Sequence, residues 1–226
     1  MSQSSSGAKV DLFWLPLGAG GASQCVRFNG RAYEALMARH QGREVCDLYH
    51  SALEVHLGPD RFVIEMTPVW GNPPADRGVV CEGPVGLPWL RHTRFFRYEV
   101  RCWRNGSIPD VAEAVASPQT LSQDVASAQR VLALVPSFPT GTWGRDECKT
   151  GDMWNSNSLI AWLLAQSGHE TDLIDAPAGG RAPGWAAGLS VAATQLRSPL
   201  DLARRPGQPA SAPSPGAPPP RRPGRG

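Results

Sequence analysis

Apolar and polar side chains alternate along residues 51–57, where Ser51, Leu53, Val55 and Leu57 interleave with Ala52, Glu54 and His56. A period of two belongs to a strand that buries one face. Gly58-Pro59-Asp60 supplies turn chemistry and Arg61 to Met66 returns, so Leu48 to Pro68 is read as a β-hairpin. The same period recurs where Phe96, Tyr98, Val100 and Cys102 alternate with Arg97, Glu99 and Arg101. It predicts a strand with one face buried and the other wet. Val10 to Leu17 is a short apolar run read as a buried strand, ended by Gly18-Ala19-Gly20-Gly21. Gly71 to Gly86 is punctuated by proline and glycine and is read as loop.

Helical spacing appears in three places. Arg31 to Arg39 places Tyr33, Leu36 and Met37 among good helix formers. Ser122 to Val135 carries Val125, Ala128, Val131, Leu132 and Val135, and Pro136 stops it. The third, Asn155 to Ser167, can be capped by Asp152 or Asn155 and has Gly168 just past its end; Leu159, Ile160, Leu163 and Leu164 form its stripe. One turn earlier that stripe begins at Ser156. A hydroxyl thus heads the buried face at the end where unpaired amides and the macrodipole favour negative charge. Periodicity fades after about Ala193. Together these elements predict an α+β fold, a small antiparallel sheet packed against helices. The expected organisation is a flexible leader at 1–8, a single domain at 9–196, and a disordered Pro/Arg-rich tail at 197–226.

Composition sharpens this outline. The 226 residues suit one domain with a substantial core. The longest strong apolar run, Leu159 to Ala165, is too short to span a bilayer, so no transmembrane segment is expected. Residues 197–226 hold six of the arginines, nine prolines and one aspartate. The overall charge of +2 therefore combines a basic tail with a mildly acidic body. Such a balance gives no indication of nucleic-acid binding, although the tail is suited to an acidic partner. Cys25, Cys46, Cys81, Cys102 and Cys148 stand apart, with no C-x-x-C pair and no histidine at zinc spacing. That excludes a recognisable metal site or disulfide scaffold and points to a reducing, cytoplasmic location. Proline and glycine interrupt the apolar stretch Leu12 to Ala22, and Asp11 precedes it, which argues against a secretory signal. The glycine cluster lacks the Gly-Lys-Ser/Thr of a phosphate loop and is read as a turn, so no cofactor is expected.

Two segments carry a resemblance. His50-Ser-Ala-Leu-Glu-Val with Gly58-Pro-Asp-Arg-Phe-Val-Ile-Glu65, and Trp154-Asn155-Ser156-Asn157-Ser158-Leu159 about a hundred residues downstream, resemble the strand pair and helix start of the circularly permuted papain-like proteins. These form the broad NlpC/P60 superfamily, with its lecithin:retinol acyltransferase-like and PPPDE-like members. The likeness spans residues 10–170 and rests on the order and spacing of two short segments. It implies a permuted papain-like fold and hydrolysis or acyl transfer at an amide or ester bond of a small molecule or peptide. The family's nucleophilic cysteine aligns with Ser156. A thiol ionises near neutral pH, whereas a serine hydroxyl needs a base to take its proton during attack. Ser156 is then a serine nucleophile, a remnant of lost chemistry, or a replacement for a native cysteine.

In the hydrolase reading the resemblance implies His50 as the base for Ser156, Glu65 as the group that orients the imidazole, and nearby amides with Asn155 or Asn157 as oxyanion donors. Trp154 would line the substrate site. His56 is a rival base and Glu54 a rival orienter, since the hairpin register is open. Each residue also has a plain structural role: Ser156 as a helix cap, His50 as a strand residue, Glu65 as a partner for Arg97 or Arg101, and the tryptophans as core. The alternative to an enzyme is a non-catalytic relative acting as a binding or scaffold module.

Overall fold

A computed structural model describes residues 7–17, 34–69, 77–86 and 96–203. Residues 1–6 of the expected leader, residues 31–33 of the first expected helix, the glycine cluster at 18–21 and the tail beyond 203 lie outside the described residues, and Ala8, expected in the flexible leader, is buried in the main core. Seven strands form the sheet: β1 (Lys9–Pro16), β2 (Asp47–Leu57), β3 (Asp60–Pro68), β4 (Val79–Pro84), β5 (Arg97–Arg104), β6 (Val115–Ser122) and the two-residue β7 (Gly180–Arg181). Their order is β4-β5-β3-β2-β1-β6, with every neighbouring pair antiparallel and β7 lying parallel to the start of β2. Helices are α1 (residues 34–41), α2 (Val125–Leu134), α3 (Ser156–Gln166) and α4 (Trp185–Ala203). The protein is α+β, as the pattern predicts.

The hairpin forms with Leu57 opposite Asp60 and Leu53 opposite Ile64. Strand alternation then sorts its side chains. Tyr49, Leu53 and Val55 join Val10, Leu12, Trp14, Ile64, Met66, Tyr98 and Val100 in the main core, under α2, α3 and α4. Phe13, Leu15, Ala52 and Val63 turn to the other face and meet Ile108 in a second, smaller core. This face is not the wet one the alternation suggests. Glu99 is buried between Arg77 and Arg101, and Asp11 is buried between Lys9 at 2.7 Å and the Thr120 hydroxyl at 2.8 Å. A period of two reports two distinct faces, and paired charges can occupy a covered one.

Three further differences have local causes. Gly71 to Gly86, read as loop, contains β4, because Val79 and Cys81 to Pro84 pair with β5 despite the surrounding turn residues, with a register shift at Val80. β6 has only weak alternation and a proline, yet β1 recruits it: Asp11 pairs with Thr120 and Leu12 with Gln119. The 193–196 boundary is overrun by α4, which continues to Ala203. Its signal is small residues instead of a broad apolar stripe. Ala187 and Ala192 are buried against the core, and a Cβ at Gly188 would strike the Ser158 carbonyl oxygen. Close approach of α3 and α4 therefore depends on a missing side chain.

Gly188→Ala should improve intrinsic helix propensity and still lower stability, by about 1–3 kcal/mol, because overpacking forces the helices apart. Urea unfolding measures this; an unchanged midpoint would show that α4 is free to lift away from α3.

Candidate functional site

The amino end of α3 is assembled from a short polar sequence whose side chains turn back on the chain. Asn155 is the cap: its side-chain oxygen accepts the Asn157 amide at 2.9 Å, while the Ser158 hydroxyl accepts the Asn155 amide at 3.1 Å, closing a reciprocal capping box. The remaining hydrogen-bonding capacity reaches outward. Asn155 Nδ2 donates to the Pro183 carbonyl at 2.8 Å, and Ser158 Oγ donates to the Gly184 carbonyl at 2.8 Å. Asn157 Nδ2 donates to the carbonyls of Tyr49 at 2.9 Å and Pro183 at 2.7 Å, and Ser51 Oγ donates to Asn157 Oδ1 at 2.7 Å. Gly184, at φ +93°, presses so closely on Asn155 that a Cβ would overlap its side chain. One tetrapeptide thus pins α3 to β2 and to the turn that starts α4. Asp152, the rival cap, does not cap α3. Burial raises its pKa, while the amides of Gly184, Met153 and Ala186 favour its charged form.

Ser156 sits in the first turn, buried, and its hydroxyl has no hydrogen-bond partner among the described residues. The base expected beside it is elsewhere. Tyr49 and Ser51 point to α3, as the Ser51–Asn157 hydrogen bond shows, and the pairing of β2 with β1 runs without a bulge from His56 to Tyr49. His50 lies between them and turns to the opposite face of the sheet, directly across from Leu15. Ala52 shares that face and packs with Phe13, Leu15 and Val63; it makes no room for a helix end. The structure therefore does not bring His50 to Ser156, and this corrects the Ser/His pairing expected from the sequence.

Glu65 follows His50 to the second face. There it accepts a hydrogen bond from Arg101 Nη1 at 3.0 Å, the structural partnership anticipated as its plain alternative. Burial raises its pKa and Arg101 opposes the rise. His56 and Glu54 pair with each other at 2.7 Å, and Arg61 reaches Glu54 at 2.9 Å. Trp154 is core: it stacks on Phe138 with ring centroids 5.2 Å apart. Among the described residues no group of three metal-ligating side chains converges, no helix is long and apolar enough to cross a membrane, and Cys46, Cys81, Cys102 and Cys148 are free thiols.

One imidazole does meet serine hydroxyls, and sequence reasoning did not find it. His169, just beyond α3, lies 3.2 Å from Ser127 Oγ through Nε2 and 2.9 Å from Ser167 Oγ through Nδ1. Ser127 belongs to the first turn of α2, 42 residues away. No local motif links the two, and only the antiparallel packing of α2 and α3 could have suggested it. No protein-family model, curated protein or solved structure matches this chain.

His50 has a consequence for stability. Burial lowers its pKa from 6.5 to about 4. The unfolded chain therefore takes up this proton first as pH falls. Stability should decline from about pH 6.5 down to about pH 4, by roughly 3 kcal/mol at most, and be fully present above that window. His50→Gln should flatten this part of the urea-midpoint profile; identical profiles for the two proteins would show that His50 stays solvated.

Proposed function

We propose that this chain is a binding or scaffold module in which the Asn-Ser-Asn-Ser segment is a structural joint. The observation that supports this reading is the occupation of Asn155, Asn157 and Ser158 by hydrogen bonds to β2 and to the entry of α4. An oxyanion donor has to present unpaired N–H groups to substrate. Asn157 has both side-chain protons committed to backbone carbonyls. A serine nucleophile also requires a base within hydrogen-bond reach, and strand parity sends His50 the other way.

The hydrolase reading drawn from the permuted papain-like resemblance loses its proposed machinery, although the likeness itself is compatible with a non-catalytic relative. What the sequence offers a partner is its tail. Residues 204–226 contain five arginines and no acid, a charge density that attracts an acidic surface and weakens as salt screens it.

Site-resolved mass spectrometry after exposure to a fluorophosphonate probe tests the joint. No adduct should form on Ser156, and Ser156→Ala should leave the urea midpoint within about 0.5 kcal/mol. Asn157→Ala should cost about 2–4 kcal/mol, because it strands the Tyr49 carbonyl and the Ser51 hydroxyl in a buried place. A probe adduct on Ser156 that disappears in His50→Ala would restore the enzyme reading.

A further inference from the structure

The far end of α3 holds a hydroxyl and an imidazole in an arrangement that α3's amino end lacks. Ser167 Oγ donates its single proton to the helix carbonyls of Leu163 at 2.7 Å and Leu164 at 3.2 Å. It can therefore only accept from His169, so Nδ1 of His169 carries the proton and faces Ser167 at 2.9 Å. In the neutral ring Nε2 is then the acceptor, and the Ser127 hydroxyl, 3.2 Å away, donates to it. Neutrality is favoured: burial lowers the His169 pKa and Arg130 lowers it further, against the Leu164 carbonyl. Hydroxyl, imidazole and orienting acceptor thus stand in line, the relation that activates a serine toward acyl transfer.

We propose that Ser127 is an activated serine that takes the acyl group of a small, reactive ester, with His169 as its general base and Ser167 as the positioning residue. Ser127 lies in the first turn of α2, where the amides of Val125 and Ala126 have no acceptor among the described residues. They are the groups that would meet an oxyanion. Asp124, Val125 and Ala126 are exposed and Ser127 beside them is 6% exposed, so a substrate would have to approach the hydroxyl along this first turn. In the forward step the Oγ–carbonyl carbon bond forms as the hydroxyl proton moves to Nε2. The bond to the leaving oxygen then breaks, and that oxygen receives the proton from Nε2. Water, deprotonated by the same nitrogen, cleaves the acyl-serine, releases a carboxylic acid and restores the hydroxyl. Asp124 holds the Ser127 amide at 2.7 Å and places a carboxylate beside the developing negative charge. It moderates the reaction.

The full chain incubated with a fluorophosphonate and, separately, with p-nitrophenyl acetate reports this directly through peptide mass spectrometry. The expected result is an adduct on Ser127, slowed at least tenfold in His169→Gln and several-fold in Ser167→Ala. Asp124→Asn, which keeps the cap and removes the charge, should label faster. In Ser167→Ala the ring nitrogen shifts of His169 should lose the fixed Nδ1–H tautomer, a change that a purely packing role would not produce. An absent adduct, an adduct on Ser156 alone, or a Ser127 rate left unchanged by both His169→Gln and Ser167→Ala overturns the proposal. Labelling at Ser127 with none at Ser156 leaves the structural joint at the other end of α3 intact.

Discussion

The side chain of Asn157 connects three parts of the molecule that are distant in sequence. Its amide group bonds the Tyr49 carbonyl and Ser51 hydroxyl of β2 and the Pro183 carbonyl before α4. The residue is almost wholly buried, so each bond replaces one that water supplied in the unfolded chain, and the loss of any leaves a desolvated partner. The specificity of that arrangement exceeds its net strength. An amide with two donors and one acceptor, each matched, admits a single placement of α3 over the sheet. The main core fills in around that placement, with Leu159, Ile160, Leu163 and Leu164 all buried beneath it.

Local chemistry was readable wherever the determinants were local. The β2–β3 hairpin follows from a period of two and a tight turn, and the α3 cap is one of the two residues, Asp152 and Asn155, that the sequence offered ahead of the apolar stripe. Non-local features were not readable. β4 and β6 are strands because β5 and β1 present edges to them, and neither has a strong alternation of its own. α4 is defined by the small residues that let it approach α3, a property of a helix pair that has no signature in one helix. The candidate site failed in the same way. His50, Glu65 and Ser156 each occupy an element of the expected type, yet whether they converge depends on parity along β2. A shift of one residue exchanges the two faces. The sequence contains both parities, His50 and Ser51, and only the packed structure selects which one meets α3.

The second face of the sheet shows how charge is accommodated under cover. Glu99 is held by Arg77 and Arg101, and the arginine neighbours keep its carboxyl below the usual range. Glu65, on the same Arg101, is shifted upward because burial outweighs its one partner. Two carboxylates on one strand pair thus respond in opposite directions: burial dominates at Glu65, whereas the hydrogen bond from Arg77, joined by Arg101, dominates at Glu99. Such chains of partners favour one geometry more than they add stability, since removing the ions from water offsets much of their attraction.

Ser156 and Ser127 both stand in the first turn of a helix that packs on the sheet, and comparison of the two separates position from chemistry. A helix start supplies unpaired amides and a favourable potential to any hydroxyl placed there. It does not supply a base. Ser156 lacks one because the nearest strand offers Tyr49 and Ser51. Ser127 has one because the chain leaving α3 turns back at Gly168 and carries His169 toward α2, where Ser167 leaves the imidazole only one way to hold its proton. The reactivity of a serine is therefore set by the element that crosses its helix, and in this fold that element is the end of α3 and not the hairpin.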